Sequence, residues 1–259
     1  MLSKATLFGF NFTSASSIEE IADLLMENNL EAIGPNYNTL ITPNAYTLVQ
    51  YNEPANKWLK DFYSHSPIIL PDGMPVVWMS KLKNKGKLEQ RLPGSDLFAP
   101  MWNRIKAGRI PATMVLPSEI IAEKFNTDYS QVQNFVPDFF NPADEKYIAW
   151  FVMEVVDGII KHHSRFVFLG LTFPKQEILG IRIIEQLKAR KYPHNVLILL
   201  LGASFEFYFG MKDRAPEFYQ KNGLEWLYRF AREPRRLWKR YTVDNMRFML
   251  LAFRELLKI

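Results

Sequence analysis

Residues 164–205 read "SRFVFLGLTFPKQEILGIRIIEQLKARKYPHNVLILLLGASF". Two continuous apolar runs, "SRFVFLGL" and "HNVLILLLGASF", bracket a helix expected from Lys175 to about Lys191. A strand with no polar alternation has to be covered on both faces. Such strands alternating with helices are the pattern of a parallel sheet in an α/β fold.

The alternation extends back toward the N-terminus. "ATLFGFNF" reads as a first strand, and Ser16 with Glu19, or Ser17 with Glu20, can open a helix running to about Met26. "NTLITPN" is a short strand entering a turn, and "EPANKWLKDFYSHS" is helical with Pro54 in its first turn. "PIILPDG" is a buried strand and "MPVVWMSKLK" the helix after it. "GSDLFAPMWNRIKAG" starts a helix at Ser95 and stops at Gly108; "ATMVLPSEIIAEKF" is strand then helix, and "QVQNFVPDFF" holds a strand. "NPADEKYIAWFVMEVVDGIIKHH" is a helix capped by Asn141 with Pro142 at its first position. After Phe209 only helical patterns remain. The expected organisation is a sheet domain over 1–210 and a helical appendage over 211–259.

The 259 residues are 48% hydrophobic and 23% charged, enough to bury a sizeable core. The chain has no cysteine, which removes thiol nucleophiles and Cys-type zinc sites. "MLSKATLFGFNF" lacks the apolar stretch of a secretory signal. "FMLLAF" (248–253), bracketed by Arg247 and Arg254, is far short of the roughly 20 residues of a membrane span. No G-x-G-x-x-G, P-loop or D-x-D pattern occurs, and His65, His162, His163 and His194 have no ligand spacing. The expectation is a protein that uses no metal and no cofactor.

Three polar clusters follow expected strands: "TPN" (42–44), "PDG" (71–73) and "PKQE" (174–177). In open parallel sheets, ligands bind where strands end at their carboxyl edge. Each cluster also has an ordinary reading: a helix cap, a turn, and an exposed first turn of a helix. Asp72 follows "IIL" at the mouth of a core, where partial loss of water makes a carboxylate a stronger base. Gly202 directly follows the last apolar strand. Arg214, beside Ala-Pro, reads as fixed and partly buried, or as the partner of Glu206 or Asp213.

Residues 223–241, "GLEWLYRFAREPRRLWKRY", carry the strongest charge asymmetry. Arg229, Arg232, Arg235, Arg236, Lys239 and Arg240 face only Glu225 and Glu233, while the chain as a whole is +5. Pro234 predicts two helices meeting near Glu233. Cations interleaved with Trp226, Tyr228, Phe230, Trp238 and Tyr241 suit an anionic membrane surface. No nucleic-acid recognition motif accompanies them, so nucleic acid is not an expected partner.

Together these residues resemble the WecG/TagA/CpsF family of bacterial glycosyltransferases, also called glycosyltransferase family 26. The resemblance is carried by "TPNAYTLVQ" (42–50), "LPDGMPVVW" (70–78), "RLPGSDLF" (91–98) and "FPKQE" (173–177). It continues through "RAPEFYQKNGLEWLYR" (214–229) and "EPRRLWKRY" (233–241). It implies a Rossmann-like, mostly parallel sheet covered by helices, with a helical C-terminal appendage that docks on the membrane. The implied reaction moves a sugar, N-acetylmannosamine by preference, from a UDP donor to a polyprenyl-diphosphate-linked sugar by inversion. UDP-glucose, a UDP-uronic acid, or a non-catalytic adaptor of polysaccharide assembly are the alternatives. The implied place is the cytoplasmic face of the bacterial plasma membrane, with homo-oligomers possible. By resemblance Asp72 is the general base, and Thr42, Asn44, Gln176 and Gly202 lie on the donor side. Arg91, Arg214, Arg229, Arg232, Arg235, Arg236 and Arg240 face the acceptor and its diphosphate. The chain departs from the family pattern at Pro117-Ser118-Glu119, where glycines are usual, at Thr172 in place of a glycine, and at Glu206 in place of an aspartate.

Overall fold

The computed structural model describes residues 2–27, 37–83, 86–216, 218–219 and 224–257, without the side chains at 37, 229, 236, 237 and 239–241. In chain order the first elements are β1 (Lys4–Leu7), β2 (Phe10–Thr13), α1 (Ile18–Met26), β3 (Tyr37–Ile41), α2 (Ala45–Tyr51) and α3 (Lys57–Tyr63). Then come β4 (Ile68–Ile69), α4 (Met74–Leu82), α5 (Gly94–Ala107), β5 (Ala112–Val115), α6 (Glu119–Asp128) and β6 (Val132–Phe135). The rest are α7 (Glu145–His162), β7 (Phe166–Leu169), α8 (Lys175–Ala189), β8 (Val196–Leu200), α9 (Ser204–Tyr208), α10 (Glu225–Arg232), α11 (Pro234–Lys239) and α12 (Asn245–Leu257). The residues group into two compact units, one of 1–18, 42–93 and 212–259, the other of 19–41 and 94–211.

The second unit carries the Rossmann-like sheet. β3, β8, β7, β5 and β6 lie side by side in that order, and each pair is parallel. β7 and β8 are buried at every position, as their unbroken apolar sequence requires. α8 packs on β3 and β8, and α7 on β5 and β6. The carboxyl ends are level, with Val115 beside Leu169 and Leu169 beside Leu200. Leu116, Gly170 and Leu201 therefore leave the sheet next to one another. Phe98, Trp102, Phe125, Phe168 and Phe205 form a buried aromatic cluster dominated by edge-to-face pairs. Gly170 is fixed by this cluster, since a Cβ there would lie 2.3 Å from the Phe205 ring.

In the first unit the expected single first strand is two strands. "ATLFGFNF" is not one strand but the antiparallel hairpin β1–β2, paired Leu7 to Phe10. Phe8 (φ 56°) and Gly9 (φ 84°) both take left-handed backbone, the geometry of a two-residue hairpin turn. β4 packs by β2, α4 by β1, and α12 by α2. Phe248 and Ala252 of α12 are buried, with the Phe248 ring 5.6 Å from that of Phe8. Glu255 pairs with Lys83, and Arg247 with Glu53 at 3.2 Å.

Two further expectations change. α7 starts three residues beyond Pro142, because Asn141 accepts from Ala143 N (3.0 Å) and closes its own turn. The cap is Asp144, accepting from Tyr147 N at 3.1 Å. The two helices expected at 223–241 are α10 and α11, with Pro234 opening the second. A π-helical turn, Arg240–Asp244, then leads into α12.

Candidate active site

In the first unit, backbone hydrogen bonds gather two of the strand-end clusters, "TPN" and "PDG", with the Arg91 segment. Asp72 is half-buried and follows the fully buried Ile69 and Leu70. Its amide donates to Pro43 O at 3.3 Å, which ties the Asp72 turn to the Thr42–Asn44 segment. Leu92 N donates to Pro71 O at 2.8 Å, which ties the Arg91 segment to the same turn. Gly73 at φ 123° lets α4 begin immediately after the Asp72 turn, a backbone setting for which glycine alone is suited. Thr42 is half-buried and directly follows β3. Asn44 is the cap of α2, its Oδ1 accepting from Thr47 N at 3.0 Å and Thr47 Oγ1 at 3.2 Å. The helix-cap reading of "TPN" is thus realised in Asn44 Oδ1, while the cap makes no use of the amide nitrogen.

Arg91 Nη1 donates to Glu225 Oε2 at 3.1 Å. Arg232 pairs with Asp213, and its guanidinium lies 5.3 Å from the centre of the Tyr228 ring. Arg214 is exposed, against the sequence expectation; its neighbour Ala215 takes the buried place instead. Asp213, one of the two partners considered for Arg214, pairs with Arg232. Arg235 is exposed. The side chains of Arg229, Arg236 and Arg240 lie outside the described residues.

In the second unit, Gln176 and Gly202 meet at the carboxyl ends of the strands. Gly202 N donates to Gln176 Oε1 at 3.1 Å, and Gly202 stands at φ 55°. Gln176 Nε2 donates to Glu177 Oε1 at 3.1 Å. Lys175 Nζ sits 4.4 Å from the centre of the Phe139 ring and 4.5 Å from that of Phe140. Ser118 is the residue that opens α6. Among the described residues, no three His, Asp or Glu side chains are grouped so as to hold a metal ion.

Glu177 is the residue that sequence reading passed over. It is 2% exposed, and burial pushes its carboxyl from 4.5 up to about 7, against the opposing hydrogen bond from Gln176. Its only sequence signal is its place in "PKQE", which reads as a solvated first turn. Between pH 4.5 and about 7 the folded chain keeps a proton that the unfolded chain releases, so stability falls as pH rises through that window. The full cost, present above about pH 7, is on the order of 3 kcal/mol. Glu177→Gln removes it. The melting temperature of the variant relative to the parent is expected to climb between pH 5 and pH 8; a difference that is flat with pH contradicts the assignment.

The family model described as "Glycosyl transferase WecG/TagA/CpsF family" matches residues 5–259, and the chain belongs to that family. It is 30% identical over 184 residues to N-acetylglucosaminyldiphosphoundecaprenol N-acetyl-beta-D-mannosaminyltransferase of Bacillus spizizenii strain W23, covering 68% of this chain and 65% of the relative. It is 31% identical over 185 residues to the protein of the same name from Bacillus subtilis strain 168, covering 70% of this chain and 66% of the relative. The chain thus spans just under two thirds of the length of these relatives.

Proposed function

We propose that the protein is an inverting glycosyltransferase. It moves N-acetylmannosamine from a UDP donor to an N-acetylglucosamine carried on a polyprenyl diphosphate, in the making of a bacterial cell-surface polymer. The observation that carries this is the placement of Asp72, held by backbone hydrogen bonds to the Thr42–Asn44 segment and to the Arg91 segment. In this reading the Asp72 carboxylate takes the proton of the acceptor hydroxyl as that oxygen attacks the anomeric carbon. The bond between that carbon and the UDP oxygen breaks, and UDP carries away the electron pair. Thr42, Asn44, Gln176 and Gly202 serve the donor. Arg91 with Arg214, Arg229, Arg232, Arg235, Arg236 and Arg240 serves the acceptor diphosphate.

The growing negative charge on UDP needs fixed positive partners. Arginine side chains and helix amino ends supply them here, so the reaction runs without a metal. No described helix is long and apolar enough to cross a membrane. In this reading the lipid-linked acceptor places the protein on the inner face of the plasma membrane as a peripheral protein, and the exposed Trp226, Leu227 and Trp238 of α10 and α11 suit that surface. The test offers a panel of UDP-sugars to the protein with a short-chain lipid-diphosphate N-acetylglucosamine acceptor, with and without excess EDTA. UDP-N-acetylmannosamine is expected to give the disaccharide, undiminished by EDTA. A different preferred donor corrects the sugar, loss on chelation with rescue by a divalent ion refutes the metal-free reading, and no transfer from any donor leaves a non-catalytic adaptor.

A further inference from the structure

We infer that Glu225 is a positioning residue for the transfer, and that its ion pair with Arg91 seats the first appendage helix against the segment that carries Asp72. The reaction in this inference is the one proposed above; the contact stands by itself.

The links are short and consecutive. Glu225 opens α10, and its Oε2 accepts from Arg91 Nη1 at 3.1 Å. The side chains are only 17% and 26% exposed, so water and salt screen this pair less than a surface pair. The next residue, Leu92, is buried and donates its amide to Pro71 O. Pro71 precedes Asp72, whose amide is bound to Pro43 O. A displacement of α10 is therefore transmitted to the base through one ion pair and one backbone hydrogen bond.

Glu225 itself stands on a fixed backbone. Leu224 N donates to Tyr219 O at 2.7 Å, and Tyr228 N to Leu224 O at 3.2 Å. The Tyr219 and Tyr228 rings are 5.4 Å apart, and Arg232 stands over Tyr228 while pairing with Asp213. The start of the appendage is thus one tied block, joined to Arg91 through Glu225. A guanidinium has five N–H donors in a rigid plane. Holding Nη1 fixes the direction of the others, which a diphosphate reads. Misplacement of a reacting group by about 1 Å costs roughly a hundredfold in rate, so a pair that sets both the arginine fork and the register of α10 governs how the acceptor meets Asp72.

The test uses the full-length protein and the variants Glu225→Gln, Glu225→Ala and Glu225→Asp. Transfer from UDP-N-acetylmannosamine to the short-chain acceptor is measured with UDP affinity, melting temperature and hydrogen exchange over 224–232. For Glu225→Gln and Glu225→Ala the acceptor KM is expected to rise about tenfold or more, as for loss of a charged hydrogen bond. UDP affinity and melting temperature should hold, exchange over 224–232 should quicken, and Glu225→Asp should recover part of the KM. If the parent transfers and the variants keep its acceptor KM, the inference is overturned. A parallel fall of UDP affinity, melting temperature and activity also overturns it, since the residue is then only structural. If the parent transfers no sugar at all, the functional reading fails, and unchanged exchange in Glu225→Ala then overturns the latch as well.

Discussion

Replacing Asp72 by Asn is expected to lower kcat by about 10²–10⁴-fold while UDP still binds. Asn keeps the size of the side chain and removes only the proton acceptor. The contact that places residue 72 is its backbone amide on Pro43 O, which the substitution leaves in place. Gly73 keeps its left-handed backbone, so the start of α4 is also unchanged. The fall should therefore appear in turnover at saturating acceptor. Near-full turnover in the variant would return Asp72 to the role of an ordinary turn residue.

The second large effect is expected on α12. Met246, Met249, Leu250, Phe253 and Leu257 are each more than half exposed and follow helical spacing, while Phe248, Ala252 and Glu255 face inward. Five apolar side chains on one stripe, next in sequence to the cationic α10–α11 segment, suit a lipid surface. Exchanging Leu250 and Phe253 for Gln removes on the order of 3 kcal/mol of apolar burial, or roughly a hundredfold in partitioning onto vesicles of anionic phospholipid. High salt should weaken the parent further through its cations. Neither side chain belongs to the buried face, so the variant should melt as the parent does. Removing residues 223–259 is a poorer test, because it would strip Phe248 from Phe8 and Glu255 from Lys83. Unchanged vesicle binding by the double variant contradicts a lipid role for the stripe. A dimer that becomes monomeric would then mark it as a contact between copies.

The sheet was readable because β7 and β8 are buried on both faces and so carry no polar residue. The β1–β2 hairpin was not, since its turn sets the large apolar Phe8 in left-handed backbone and Gly9 alone signals it in the sequence. Asn141-Pro142 has the composition of a helix start, but Asn141 spends its side chain on Ala143. The strand-end clusters were readable as clusters, and the structure ties "TPN", "PDG" and the Arg91 segment by backbone bonds that no side-chain pattern encodes. Glu177 was hidden by its own charge. A carboxylate in a first helical turn reads as solvated, whereas packing and Gln176 enclose it here. Arg214 failed in the opposite sense, with Ala215 rather than the arginine turned inward.

Proton NMR of the isolated product, made from UDP-α-N-acetylmannosamine and the short-chain lipid-diphosphate N-acetylglucosamine, tests the central claim most directly. Single displacement assisted by Asp72 predicts one β-linked disaccharide formed in step with UDP. An α linkage, or UDP released with free N-acetylmannosamine and no disaccharide, would contradict it.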